Sequence, residues 1–122
     1  MHTLAGGRLP EIDGVEVPGY DRSAVTVGIV HFGVGGFHRA HEAMYLDTLM
    51  NSGQALDWAI CGVGVLPFDR RMHEVMQAQD CLYTLIIKHP DGQLEPRVIG
   101  SFRSCWMLSS RSSNSPVTGC TL

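Results

Sequence analysis

A glycine-rich run beside an apolar segment contains the residue types best suited to binding a ligand. Gly33-Val34-Gly35-Gly36-Phe37-His38 follows the β-branched segment Ala24–Phe32 and precedes a helical pattern. A glycine at 33 permits a tight turn, and a glycine at 35 lets the backbone approach a pyrophosphate with no side chain in the way. The amide groups that open the next helix favour the phosphates. This order of strand, turn and helix predicts a dinucleotide-binding site.

The residues alone leave two alternatives open at this site. His38 stands where the common fingerprint has glycine or alanine, and the glycines also suit an ordinary strand-to-helix turn. An acidic residue for the adenosine ribose is expected about 20 residues after the glycines. The candidate, Asp69, comes later than that and is equally suited to cap a helix. Arg70 and Arg71 follow it, so NADP stays open beside NAD.

Neither the histidines nor the cysteines predict a metal site. The spacing of His38 and His41 could place both on one face of a helix. A metal site is not predicted there, because no carboxylate or cysteine is expected at ligand spacing beside them. The four cysteines form no C-x-x-C pair, which favours buried thiols in a reducing compartment.

The elements around the glycine run predict an α/β fold with a parallel sheet, a truncated Rossmann-like dinucleotide-binding domain. The segment 24–32 is expected to be a strand buried on both faces, because it is almost continuously apolar. His89-Pro90-Asp91-Gly92 predicts a tight turn, hence a β-hairpin insertion. The remaining elements are a helix over Phe37–Met50, a strand over Leu56–Val63, a helix over Arg70–Gln79, and hairpin strands over Leu82–Lys88 and Leu94–Gly100.

Composition divides the chain into three parts. Residues 1–23 predict an irregular arm, residues 24–101 a partial NAD-binding domain, and residues 102–122 an aberrant or disordered tail. The stretch 103–122 is rich in serine and has no Asp or Glu. We hypothesise a shift of reading frame there, because Cys105-Trp106-Met107-Leu108 shifted by two bases must read Leu-Asp-(Ala or Val) for every codon choice.

Charge and hydropathy exclude several classes of partner. The net charge is -3, and no basic run or long apolar span occurs, so we expect no nucleic acid and no membrane. The first residues carry no basic-then-apolar signal peptide, which favours a cytoplasmic protein.

The longest motif of the chain also resembles that of a known family. Residues 29–41 (IVHFGVGGFHRAH) closely resemble the N-terminal signature of the mannitol dehydrogenase family, which comprises polyol dehydrogenases and uronate reductases. The resemblance continues through 58–64, 69–72, 79–85, 88–92 and 98–101, and so covers most of residues 24 to 101.

The resemblance implies a zinc-independent hydride transfer between a polyol and NAD that gives a ketose or uronate. It places the cofactor pyrophosphate at Gly33, Val34, Gly35, Gly36, Phe37 and His38, and it assigns the acidic NAD-selecting position to Asp69. Phe68 departs from the family pattern, which is often acidic there, so NADP is not excluded.

The family's catalytic lysine belongs to a C-terminal domain that the resemblance does not reach. The single lysine of this chain, Lys88, falls in the hairpin, so we assign no catalytic residue. Two alternatives to a dehydrogenase part are a stand-alone dinucleotide-binding module and an inactive gene remnant.

Overall fold

The central element of the fold is a three-stranded parallel sheet. The computed structural model describes residue 9 and residues 13–108. Strand β1 (Val27–Phe32) pairs with β2 (Ala59–Gly64), and β2 pairs on its other side with β5 (Phe102–Met107). The order is therefore β1-β2-β5, with both pairs parallel. This mixed α/β architecture confirms the Rossmann-like fold.

Three helices complete the central unit. They are α1 (Gly36–Ala40), α2 (Glu42–Asn51) and α3 (Asp69–Ala78). The expected helix over 37–50 is broken at His41, whose backbone φ of -122° and ψ of -87° lie outside helical values. The interpretation of His38 and His41 as neighbours on one continuous helix was therefore wrong. None of the helices in residues 13–108 is long and apolar enough to cross a membrane.

The predicted hairpin is present as a separate two-stranded sheet. Strands β3 (Tyr83–Lys88) and β4 (Leu94–Ile99) pair antiparallel from Tyr83–Ile99 to Lys88–Leu94. The amide of His89 donates to the carbonyl of Gln93 at 2.9 Å, and Gly92 has a φ of 87°. Glycine adopts this left-handed conformation without a steric cost, as the turn requires.

The order of the sheet corrects two expectations. β1 is not buried on both faces, because it lies at the sheet edge and its residues alternate between half-buried and exposed. The strand buried throughout is β2, which has a neighbour on each side. The part of the tail expected to lack a strand begins with one, since residues 102–107 form β5. Residues 109–122 lie outside the described structure.

The core joins the sheet to the helices and to the segment before β1. Phe102 of β5 is the largest of the fully buried side chains, and Ile60 of β2 is also fully buried. Residues 13–23 run irregularly, with one bridge between Glu16 and Arg97. Tyr20 of this segment donates its hydroxyl to Asp47 of α2 at 2.6 Å. These contacts attach the segment to α2 and to the hairpin.

Candidate functional site

The carboxyl ends of the parallel strands meet at one edge of the sheet. The amide of Gly33, just after β1, donates to the carbonyl of Val63 at 2.7 Å. The amide of Leu108, just after β5, donates to the carbonyl of Gly64 at 2.8 Å. In open α/β sheets, ligands bind in the crevice outside this edge. The glycine run therefore lies where such a fold places a cofactor.

The glycines leave the backbone of the β1–α1 turn open. Gly33 has a φ of 92°, which disfavours any residue with a Cβ. Gly35 is extended (φ -78°, ψ 169°) and precedes α1, and no atom lies within 4 Å of where its Cβ would stand. The turn thus leaves its main-chain atoms approachable from outside.

A cleft of about 780 Å³ lies beside this turn. Phe37, exposed over 79% of its surface, stacks on the ring of His41 with centroids 4.1 Å apart. The lining is mainly apolar and belongs to β1, the turn, α1 and α2: Ile29, His31, Phe32, Gly33, Gly35, Phe37, His38, His41, Glu42, Tyr45, Leu46 and Leu49.

His38 turns its ring inward instead of outward. Only 8% of the residue is exposed, and its ring stacks on that of His31 with centroids 3.6 Å apart and planes at 12°. The Nδ1 of His31 donates to the carbonyl of Gly33 at 2.7 Å, which ties the stack to the turn. Burial, and then the neighbouring His31, lower the pKa of His38 below its usual 6.5. The ring is therefore neutral near pH 7.

His31, His38 and Glu42 form the one group within residues 13–108 whose three potential ligand atoms lie within 4.8 Å of one another. His31 and Glu42 were not predicted from the sequence, where the spacing pairs His38 with His41. An imidazole binds a metal in its own plane, through the nitrogen lone pair. Two rings stacked at 12° cannot both direct a nitrogen at one ion unless a ring rotates. The arrangement therefore favours a packed pair over a shared metal.

Asp69 lies after β2, on the loop that leads into α3. It is the first residue of that helix, and Phe68 holds the N-cap position, so Asp69 is not the predicted cap. Its Oδ2 accepts from the amides of Val65 and Leu66, both at 2.9 Å. No hydrogen bond found within residues 13–108 engages its Oδ1. The carboxylate thus fixes its own loop and keeps one oxygen for a ligand.

Two glycines that the sequence argument did not single out bring Asp69 and the turn together. A Cβ at Gly62 would stand 2.7 Å from Val34 Cγ2. A Cβ at Gly64 would stand 2.5 Å from Met107 Sδ and 3.0 Å from Asp69 Cβ. Val34 and Asp69 line one small cavity of about 10 Å³. The sequence feature that could have predicted these close approaches is the spacing Gly62-x-Gly64 at the end of a buried strand.

Sequence comparison gives these positions a family context. The chain matches the family model described as the mannitol dehydrogenase Rossmann domain over residues 27–117. The match reaches beyond residue 101, where the quoted resemblance ended. The chain is 53% identical over 93 residues to a mannitol 2-dehydrogenase of Aspergillus terreus, and this alignment covers 75% of this chain and 18% of that protein. The chain is 59% identical over 75 residues to a mannitol 2-dehydrogenase of Cereibacter sphaeroides, and this alignment covers 62% of this chain and 16% of that protein.

Solved structures give the same fold. A ternary complex of Pseudomonas fluorescens mannitol 2-dehydrogenase with NAD and D-mannitol matches with a TM-score of 0.80 and 43% identity, over 85% of this chain and 21% of that one. A substrate-free D-sorbitol dehydrogenase matches with a TM-score of 0.72 and 42% identity, over 79% of this chain and 20% of that one. The chain spans about a fifth of the length of these proteins.

Proposed function

The chain belongs to the mannitol dehydrogenase family, and on this basis we propose that it is the NAD-binding part of a polyol oxidoreductase. Residues Gly33, Val34, Gly35, Gly36, Phe37 and His38 hold the pyrophosphate, and Asp69 holds the adenosine ribose. When bound, the cofactor supplies a hydride acceptor for a sugar-alcohol carbon, or a hydride donor to the matching ketose or uronate. The substrate is a small polyol of the mannitol class.

One observation supports the proposal above the others. Gly33 makes a left-handed turn at the carboxyl end of a parallel strand, and Gly35 beside it has open space where a side chain would stand. A pyrophosphate needs this approach to the main chain. The Pseudomonas fluorescens protein, similar over 85% of this chain, is described in complex with NAD and D-mannitol.

The surroundings of His38 restrict how it takes part. Because its ring is buried against His31, its contribution to the pyrophosphate is that of its main chain. The His38 ring packs between β1 and α1. It stacks on His31, whose Nδ1 donates to the carbonyl of Gly33 and so fixes that carbonyl. His38 is therefore a positioning residue for the turn.

The preference for NAD over NADP depends on one carboxylate. Asp69 is half-buried, and its Oδ1 is available to accept from a ribose hydroxyl. A 2′-phosphate would bring negative charge to the same place and be repelled. Phe68, Arg70 and Arg71 are exposed beside it. The arginines oppose the effect of Asp69, so the expected preference is moderate.

The chemical step belongs to the remainder of a full-length family member. Lys88 ends β3 in the separate hairpin sheet, and the glycine turn follows β1 of the central sheet. We therefore assign it no catalytic role, in keeping with the sequence argument. This chain binds and orients the cofactor, and hydride transfer requires the family's catalytic domain.

Titration calorimetry of the 122-residue chain with NADH and with NADPH tests the proposal. Circular dichroism first establishes that the sample is folded. We expect saturable NADH binding and weaker NADPH binding. Asp69→Asn should reduce the difference in affinity between NADH and NADPH. The matched control Asp91→Asn, on the exposed hairpin turn, should leave that difference unchanged.

Two results would overturn parts of this assignment. A folded chain that binds neither cofactor would refute the binding role and leave an inactive remnant as the interpretation. Equal affinity for both cofactors, unaltered by Asp69→Asn, would retain the glycine turn and refute the role of Asp69.

A further inference from the structure

Arg39 is a half-buried cation beside the glycine turn. Among residues 13–108, the other arginines either pair with a carboxylate, as Arg22 and Arg97 do, or are exposed to water. Arg39 does neither, because it is half-buried and no ion pair in this part of the chain includes it. Its Nε is buried and has no hydrogen-bond partner there. A charge that leaves water needs compensation, so this guanidinium is suited to an anionic ligand.

The ring of Tyr83 holds this guanidinium in place. The Cζ of Arg39 lies 5.7 Å from the centroid of the ring, within the range of about 6 Å for a cation–π contact. The Tyr83 hydroxyl also donates to the main-chain carbonyl of Arg39 at 2.5 Å. Burial raises the pKa of Tyr83 against the opposing charge of Arg39, so the hydroxyl stays protonated and keeps this hydrogen bond. The arginine is thus oriented before a ligand arrives, which reduces the entropy lost on binding.

The guanidinium extends back toward the start of α1. Gly36 is the first residue of that helix, and Arg39 lies on the same side of it by the spacing of the two residues. The Nη2 of Arg39 lies 4.0 Å from where a Cβ at Gly36 would stand. Gly36 is exposed and belongs to the glycine turn, to which the pyrophosphate is assigned above. The cation therefore adjoins the main chain that would receive the phosphates.

A pyrophosphate needs more than main-chain amides can supply. Amides donate hydrogen bonds but carry no net charge, whereas a guanidinium donates paired N–H groups and neutralises part of the phosphate charge. Arginine suits this task better than lysine, because its planar fork matches the oxygen atoms of a phosphate.

We propose that Arg39 binds the pyrophosphate of the dinucleotide through the paired N–H groups of its guanidinium, and that it supplies the charge-dependent part of cofactor affinity. This inference rests on the proposed function and deepens it. Asp69 would distinguish NADH from NADPH, whereas Arg39 would act on the pyrophosphate that the two cofactors share. Loss of Arg39 should therefore weaken both cofactors by the same factor.

Titration calorimetry of the folded chain at low and at physiological ionic strength tests the role of Arg39. Arg39→Met removes the charge and keeps an apolar side chain. We expect the affinities for NADH and NADPH each to fall by about tenfold or more, as for the loss of a charge-assisted hydrogen bond. The remaining affinity should depend less on salt, because a charge pair that salt screens has been removed.

Two further variants separate charge from packing. Arg39→Lys keeps the charge but not the fork, so we expect a loss of only about threefold in NADH affinity, with the wild-type salt dependence. Arg103→Met is the control, because Arg103 is exposed near the start of β5 and so lies away from the carboxyl edge of the sheet. It should bind both cofactors as the wild type does.

The outcomes distinguish this inference from the proposed function. A folded wild-type chain that binds neither cofactor refutes the binding role as a whole. If the wild type binds NADH, and Arg39→Met binds it equally well or with an unchanged salt dependence, the glycine turn is retained and the role of Arg39 is overturned. An Arg39→Lys chain that binds NADH as tightly as the wild type refutes the paired contact, and this variant decides the question if Arg39→Met does not fold.

Discussion

Arg97 of the hairpin and Asp47 of α2 form an ion pair 3.1 Å long, with side chains only 9% and 1% exposed. Asp47 also accepts from the hydroxyl of Tyr20 at 2.6 Å and from the amide of Gly100 at 2.9 Å. One buried carboxylate therefore joins α2, the hairpin and the segment before β1. The Nδ2 of Asn51 also donates to this carboxylate at 3.1 Å, so four donors compensate for the water that the charge has lost.

Replacing the arginine tests how much the pair contributes to stability. Arg97→Met leaves the Asp47 charge buried with fewer donors, so we expect the free energy of unfolding to fall by about 3 kcal/mol. Urea unfolding followed by circular dichroism measures the change. Arg71→Met, at an exposed position on α3, is the control and should change stability by less than about 0.5 kcal/mol. An equal loss in both variants would contradict a specific role for the buried pair.

Gly62→Ala tests the close approach between β2 and the glycine turn. The new methyl would stand 2.7 Å from Val34 Cγ2 and 2.9 Å from Phe102 Cε1, so we expect a loss of about 1–3 kcal/mol. Removing part of Val34 relieves one of the two clashes. The loss in the double variant Gly62→Ala/Val34→Ala should therefore be smaller than the sum of the single losses. Additive losses would show that Val34 does not make the contact.

Gly35→Ala separates binding from folding at the turn. The backbone at Gly35 is ordinary for alanine, and nothing lies within 4 Å of the new methyl, so stability should stay within about 0.5 kcal/mol. The methyl occupies the approach to the main chain, so NADH affinity should fall by about tenfold or more. Calorimetry measures the affinity, with Gly19→Ala outside the cleft as a control that retains it. Unchanged NADH affinity in Gly35→Ala would place the pyrophosphate elsewhere.

The buried histidine stack predicts a pH dependence of stability. Burial, and then His31, lower the pKa of His38 below 6.5, so the unfolded chain binds more protons than the folded one below that pH. The contribution of His38 is therefore complete above about pH 6.5 and is lost as pH falls through its lowered pKa. We expect His38→Gln to show a shallower decline between about pH 7 and about pH 5. His41→Gln, on an exposed residue, should keep the wild-type slope.

Local chemistry was sufficient to predict some of the fold. The turn at 89–92 carries its own signal, because proline and glycine restrict or relax the backbone at the positions a hairpin needs. The same holds for the glycine turn at 33–36, whose role follows from the missing Cβ atoms. Hairpin, parallel sheet and turn could therefore be derived from the residues themselves.

The rest depended on neighbours that are distant in the sequence. An apolar run such as 24–32 cannot show whether its strand is central or at an edge, because that depends on which strands pair with it. The residues of β5 show no alternation of apolar and polar side chains, because their burial follows from the pairing of β5 with β2. The stack of His31 on His38 arises from packing between β1 and α1. The different roles of the two Asp69 oxygens could be assigned only once the hydrogen bonds of its loop to Oδ2 were known.

The place of β5 beside β2 also determines the order in which the protein can assemble. β1 and β2 are connected through α1 and α2 and can pair early, whereas β5 follows α3 and the hairpin in the chain. The contact of Arg22 with Phe102 spans 80 residues, and such non-local contacts form only after the entropy of loop closure has been overcome. We therefore expect amide protection to develop last in β5, a sequence that pulsed hydrogen exchange would resolve. During synthesis, β2 keeps one unpaired edge until β5 has left the ribosome.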